Sequence, residues 1–282
     1  MNLILQGLNP DTAAIAKVLA ASCAEAAQPV AIGMHAWRVD SIRLASGGEE
    51  TLESACQAAQ LDYALFEKQP ALADFKLLAM DMDSTLITIE CIDEIADMQG
   101  LKPQVAAITE AAMRGEIEFQ ESLARRVALL KGLDASALQR VYDERLALSM
   151  GAQPMLNAIQ AAGLKTLLVS GGFTFFTERM QARLGLDYTH ANVLEIDHGK
   201  LTGRVIGGIV DAEEKQRTVE RVCAELGCST RQAIVMGDGA NDLKMMGVSG
   251  MSVAFRAKPV VRKQADVALN FVGLDGILSL FV

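Results

Sequence analysis

With 282 residues, 51% of them hydrophobic, the chain is long enough for two or three units, each with a core of its own. Its formal net charge of -9 and pI near 4.9 exclude a broad phosphate-backbone surface, so nucleic acid is not an expected partner. No apolar run is long enough to span a bilayer, no basic segment precedes the apolar start Met1–Gly7, and Cys23, Cys56, Cys91, Cys223 and Cys228 form no C-x-x-C or zinc spacing. These features predict neither a membrane protein nor a secreted one, and an odd number of cysteines favours reduced thiols in the cytoplasm. His35, His190 and His198 are scattered and read as structural.

In chain order, Asn2 to Gln6 reads as a strand, Asp11 to about Ala24 as a helix opened by Asn9-Pro10-Asp11, and Pro29 to Leu44 as one or two strands. A helix over Glu49 to Gln60 and a strand over Leu61 to Phe66 complete a βαβ(β)αβ order. It resembles a shortened ACT-like, ferredoxin-like module, a kind that often senses amino acids, although a docking or dimerisation unit without a ligand has the same pattern. Glu67-Lys68-Gln69-Pro70 reads as the linker. The domains are therefore expected at 1–70, then 71–90 with 150–282, and 91–149 as an insertion. The sequence is also compatible with a homodimer.

Lys76 to Met80 is a buried strand that delivers Asp81-Met82-Asp83-Ser84-Thr85 at its carboxyl end. In extended backbone, residues two apart face the same way, so Asp81 and Asp83 can address one centre. Ile92 to Leu148 reads as helices, with Pro103 near one start and Gly132 past one end; Phe119 and Arg126, seven apart, share a face. A strand over Lys165 to Val169 then runs into Ser170-Gly171-Gly172 and a helix from Phe173 to Leu184, a strand–glycine–helix order that suits an anion. A hairpin is expected around His198-Gly199. Asp211 to Leu226 is a helix carrying Lys215, a position where a lysine is ordinarily solvated. The strand Ala233 to Met236 ends in Gly237-Asp238-Gly239-Ala240-Asn241-Asp242, and two further strands follow, Gly250 to Phe255 and Asp266 to Leu269. Alternation of this kind predicts an α/β fold with a doubly wound parallel sheet.

In such a sheet the strand ends share one edge, which gathers Asp81, Asp83, Ser170, Gly171, Asp238, Asn241 and Asp242 around one crevice. Clustered carboxylates need a cation, and hard oxygen donors suit Mg²⁺ better than zinc. Other phosphate chemistries fail on the residues: no cysteine is followed by arginine six positions on, Gly199-Lys200 lacks the Ser or Thr of a P-loop, and position 242 is Asp where a dinucleotide fingerprint needs glycine. The remaining nucleophile is a carboxylate, giving a Mg²⁺-dependent phosphoryl-transfer site.

Asp81-Met82-Asp83-Ser84-Thr85, Ser170-Gly171-Gly172, Lys215 and Gly237-Asp238-Gly239-Ala240-Asn241-Asp242 resemble the four ordered motifs of the haloacid dehalogenase-like hydrolases. Glu90, Ile92-Asp93-Glu94 and the helix Phe119 to Arg126 further resemble the phosphoserine phosphatases of that superfamily. The resemblance covers roughly residues 76 to 270. It implies a Rossmann-like core with a helical cap inserted after its first strand, and hydrolysis of O-phospho-L-serine, the last step of serine biosynthesis, through an aspartyl-phosphate. Asp81 would be nucleophile and metal ligand, and Asp83 acid and base, with its carbonyl on Mg²⁺. Asp238 would complete the metal site, Asp242 would support the metal and Asn241 the phosphate. Ser170, Gly171 and Lys215 would hold phosphoryl oxygens. Glu90 would meet the ammonium, Arg126 the carboxylate, and Met113 and Phe119 would cover the pocket. The alternatives are a phosphotransferase that passes the group to another alcohol, and a non-catalytic amino-acid-sensing regulator.

Overall fold

The computed structural model describes residues 1–114 and 116–282. In the N-terminal region, β1 (Asn2–Gln6) leads into α1 (Thr12–Ser22), whose first turn is capped by Asp11 accepting from the Ala13 N–H at 3.0 Å. The short strands β2 (Cys23–Glu25), β3 (Val30–Ala31), β4 (Ala36–Val39) and β5 (Arg43–Leu44) follow, then α2 (Gly48–Ala59) and β6 (Asp62–Phe66). Four of the strands form a sheet ordered β3-β4-β1-β6, antiparallel throughout. This is the order of a ferredoxin-like split βαβ unit. Helices α1 and α2 cover one face of it, around Leu3, Leu5, Ile15, Val18, Val39 and Leu52.

The segment read as the linker is tied to the C-terminus. Gln69 Nε2 donates to the Leu280 carbonyl at 3.1 Å, and the Val282 N–H donates to the Pro70 carbonyl at 3.1 Å. Beyond it β7 (Leu77–Met80) begins the second sheet. Next come α3 (Cys91–Asp97), α4 (Lys102–Met113), α5 (Phe119–Leu129) and α6 (Ser136–Glu144), a helical stretch in which Pro103 sits in the first turn of α4. Strands and helices then alternate: α7 (Ala152–Ala161), β8 (Lys165–Phe173), α8 (Thr174–Leu184), the hairpin β9 (Tyr188–Asp197) and β10 (Lys200–Ile206), α9 (Ala212–Glu225), β11 (Ala233–Gly237), α10 (Leu243–Val248), β12 (Met251–Phe255), α11 (Pro259–Arg262) and β13 (Val267–Leu269).

The sheet order is β10-β9-β8-β7-β11-β12-β13, parallel except for the β9–β10 hairpin. Without β10 this is the 3-2-1-4-5-6 order of a doubly wound fold, with its switch point between β7 and β11. The alternation of faces explains the continuous apolar runs. Leu77 and Ala79 of β7 enter one core together with Leu167, Val169, Ala233 and Val235, while Leu78 and Met80 enter the other with Leu168, Ile234 and Met236. That second core continues into the helices through Ile95, Leu123, Val127 and Val141.

A carboxylate that the sequence did not single out holds the two sheets together. Asp62, 1% exposed at the start of β6, accepts the backbone N–H groups of Asn270, Phe271 and Val272 at 2.7, 2.9 and 3.0 Å, just past β13. Burial raises its pKa, and the three N–H donors oppose that rise. Asp62→Ala strands those donors and is expected to cost roughly 3 kcal/mol in urea unfolding. Hydrogen exchange at 270–272 should accelerate; unchanged exchange there would contradict this role.

Candidate active site

The carboxyl ends of β7, β8 and β11 meet at one edge of the sheet, on either side of the switch point. A cleft of about 1170 Å³ opens there, lined by Asp81, Asp83, Ser170, Gly171, Asp238 and Asn241 on the sheet side and by Glu90, Phe119 and Arg126 across from them. Asp81 continues β7 in extended backbone, its N–H bonded to the Met236 carbonyl of β11 at 3.0 Å. The chain then reverses at Ser84, which takes a left-handed φ of 56°. Such backbone is costly for a residue with a side chain and marks a position fixed by its surroundings. Two contacts hold the reversal: the Ile87 N–H donates to the Met82 carbonyl at 3.0 Å, and Ser84 Oγ donates to Glu90 Oε1 at 2.7 Å.

Lys215 departs furthest from its sequence expectation. Its ammonium is fully buried, with Nζ 2.9 Å from Asp81 Oδ1 and 2.7 Å from Asp242 Oδ1. Burial favours the neutral amine, but the carboxylates of Asp242 and Asp81 outweigh it and hold the lysine above its ordinary pKa. Asp211 positions it by capping α9, accepting from the Glu214 N–H at 3.0 Å. Both Asp242 oxygens are engaged by protein donors, since Oδ2 accepts from the Gly239 N–H at 3.1 Å. A Cβ on Gly237 would lie 2.4 Å from that same oxygen, so only glycine fits there. Asp238, Asn241 and Asp242 lie past the end of β11, on a tight loop and a 3-10 turn ahead of α10.

Asp81, Asp238 and Asp242 each bring a carboxylate oxygen within 4.8 Å of the others, a grouping that can hold a metal ion. The electrostatics call for one. Burial and then Asp242 raise Asp81 well above its usual range against the pull of Lys215, and burial with Asp242 and Glu90 raises Asp238 to about 6. Three carboxylates face one ammonium, and the two uncompensated negative charges match a divalent cation. Oxygen donors of this kind fit a hard ion.

Asp83 sits in a different environment. Burial and then Glu90 push its carboxyl up to about 8, opposed by the Cys91 thiol and N–H. Its Oδ1 is buried with no hydrogen-bond partner among the described residues. Ser170-Gly171-Gly172 lies beside it, although not in the loop that the sequence suggests: β8 runs on through Phe173 with a register shift between Val169 and Phe173, and α8 begins at Thr174. A Cβ on Gly172 would lie 3.0 Å from both Asp83 Oδ2 and Ser170 Oγ, tighter than ordinary contact, so the bare backbone gives the acid room where the strand passes it. Phe119 reaches over Gly171, its Cζ 3.2 Å from where a Cβ would stand.

Arg126 and Glu90 lie in the same cleft. Burial lowers the Arg126 pKa, while Asp93, Glu90 and Asp83 support its charge, yet no carboxylate among the described residues lies within 4.0 Å ion-pairing reach. The side chain of Met113 lies outside the described residues. Sequence reasoning passed over Thr85, whose Oγ1 donates to Asp238 Oδ1 at 3.2 Å, although it stands in the first motif. It also missed Asn192, which donates from Nδ2 to the Gly171 carbonyl at 2.7 Å and accepts from the Val210 N–H at 2.8 Å. No motif marks Asn192; its role depends on the pairing of β9 with β8.

Residues 75–250 match the family model of the haloacid dehalogenase-like hydrolases, and the chain belongs to that family. Within it, 214 residues are 60% identical to a phosphoserine phosphatase from Polaromonas sp., an alignment covering 74% of this chain and 91% of that relative. A hydrolase of the same family from Salmonella enterica serovar Typhi superposes with a TM-score of 0.87 at 33% identity over 100% of this chain and 99% of its own, so the N-terminal sheet is matched too. A phospho-aspartyl intermediate analogue of phosphoserine phosphatase superposes with a TM-score of 0.70 at 36% identity, covering 74% of this chain and 99% of that one.

Proposed function

We propose that this chain hydrolyses O-phospho-L-serine to serine and phosphate, with Asp81 as nucleophile. The observation that carries this reading is that Asp81 and Arg126 open into one cleft, so a carboxylate reader and a phosphoryl acceptor face the same small molecule. Asp81 attacks phosphorus, the bond to the serine oxygen breaks, and Asp83 delivers its proton to that oxygen. Water then attacks the phosphorus of the aspartyl-phosphate, the bond from phosphorus to Asp81 breaks to free phosphate and restore the Asp81 carboxylate, and the Asp83 carboxylate takes up the proton released by the water. Ser170 Oγ, the backbone at Gly171, Asn241 and Lys215 hold the phosphoryl oxygens. Arg126 takes the substrate carboxylate through its planar fork, Glu90 the ammonium, and Phe119 covers the bound molecule. Asp81, Asp238 and the Asp83 carbonyl would hold Mg²⁺. Asp242, its oxygens given to Lys215 and Gly239, supports them from behind. The ion supplies positive charge against the phosphoryl oxygens.

Residues 91–149 act as a cap in this reading, and 1–70 as a separate module. The test is phosphate release from phosphoserine, phosphothreonine and an aryl phosphate, with chelator and then with Mg²⁺ restored, and with acceptor alcohols present. Release from phosphoserine that needs Mg²⁺ and is unchanged by acceptors supports hydrolysis; phosphoryl transfer to an acceptor would replace it with the phosphotransferase reading. Arg126→Ala should lower kcat/KM for phosphoserine by about 10²-fold, the value of a charged hydrogen-bonded contact, and leave the aryl phosphate largely unaffected. Equal losses on both would contradict the assignment of Arg126.

Asp83 sets the pH response. With its pKa raised to about 8 it is mostly protonated at neutral pH, ready to act as an acid. Turnover of phosphoserine should therefore fall as pH rises through that region and the proton is lost. Removing the negative neighbour in Glu90→Gln favours the ionised form of Asp83, so the alkaline limb of the kcat profile should move to lower pH. A limb that stays in place or moves upward would count against this pairing.

A further inference from the structure

Two thiols outside the cleft are brought together by the way α9 ends. Gly227 takes a left-handed φ of 65°, the Cys228 N–H donates to the Cys223 carbonyl at 2.9 Å, and the Gly227 N–H donates to the Ala224 carbonyl at 3.0 Å. These are the paired 6→1 and 5→2 bonds of a Schellman motif, with Cys223 at C3 and Cys228 at C″, the two positions whose side chains that motif sets in contact. Both side chains belong to the same apolar cluster. Cys223 is buried in the core beside Val219 and Val222, and Cys228 packs on the edge of the same cluster while keeping part of its surface in solvent.

We infer that Cys223 and Cys228 are a reversible dithiol–disulfide pair that takes two electrons' worth of oxidation from low-molecular-weight disulfides of the glutathione class. The partly exposed Cys228 thiolate attacks one sulfur of the disulfide, forming a mixed disulfide and releasing one small thiol, which takes up a proton. Cys223 then gives its proton to solvent and attacks the Cys228 sulfur. The bond to the second small thiol breaks and that thiol leaves protonated, so one small disulfide and two protein thiols become one protein disulfide and two small thiols. Burial pushes the Cys223 thiol up to about 12, which makes this ring closure the slower step. The motif already holds the backbones of the two residues together, so closure needs no rearrangement of α9 beyond its last turn.

The test uses the full-length native protein treated with oxidised glutathione, alkylated and mapped by mass spectrometry, with buried Cys56 and Cys91 as internal controls. The expected result is loss of alkylation at Cys223 and Cys228 together, a cross-link between them with loss of two hydrogens, and full reversal by excess reduced thiol. Cys228→Ser should leave Cys223 a thiol, and Cys223→Ser should stop with glutathione on Cys228. A wild-type protein that keeps glutathione on Cys228 beside a free Cys223, or that keeps both thiols alkylatable while the small disulfide is consumed elsewhere, would overturn the pairing.

Discussion

Asp81→Asn should leave a folded protein whose phosphoserine turnover is lower by about 10⁴-fold or more, the scale of losing a nucleophile. Asn fills the same space at the end of β7 and keeps the backbone bond to Met236, while Lys215 retains its 2.7 Å partner Asp242. The substitution also removes one of three mutually repelling carboxylates, so the thermal midpoint should be preserved. What is lost is the attacking oxygen. Activity within tenfold of the parent, measured as phosphate release by protein of native circular dichroism, would contradict nucleophilic attack by this residue.

Lys215→Met should damage both stability and activity. Removing one partner from a buried charged group strands the others, at a cost of about 3–5 kcal/mol. Here the full cost applies, because the ammonium is completely buried and bridges two carboxylates at 2.9 and 2.7 Å. The pH dependence has a definite sign. Without Lys215 the raised pKa of Asp81 rises further, and a carboxyl whose folded pKa exceeds its unfolded one stabilises the fold while protonated and loses that contribution as pH climbs. The variant should therefore lie closest to the parent in acid and fall behind it towards neutral pH, as followed by urea midpoints. Turnover should fall by a further factor of about 10²–10³, as for loss of one donor to developing phosphoryl charge. A stability deficit independent of pH would mean that the buried ammonium does not compensate these carboxylates.

The chemistry was legible in the chain to the extent that it sits on strand ends. Asp81, Asp83, Ser170, Asp238 and Asn241 follow buried apolar runs, and a doubly wound sheet brings such ends to one edge whatever their separation in sequence. Arg126 and Phe119 were legible through their helical spacing, which puts both on the face of α5 that lines the cleft. Features that depend on long-range register were not legible. Lys215 reads as a solvated helix residue because nothing local shows that Asp81 and Asp242 close over it. Asn192 in the middle of β9 and Asp62 at the start of β6 are isolated polar residues, and their partners lie 21 and more than 200 residues away. The Ser-Gly-Gly segment reads as the join between a strand and a helix; here β8 continues past it, and the missing side chain of Gly172 gives Asp83 its room.

Covalent attack by Asp81 leaves a phosphorylated enzyme that can be caught. Protein mixed with phosphoserine and Mg²⁺, quenched in acid within the first turnover and mapped by mass spectrometry, should carry one phosphoryl group on the peptide containing Asp81, assigned to that residue and absent from Asp81→Asn. Phosphate on Asp83, Ser84 or Ser170 instead, or turnover by the parent with no phosphorylated peptide at any quench time, would contradict it.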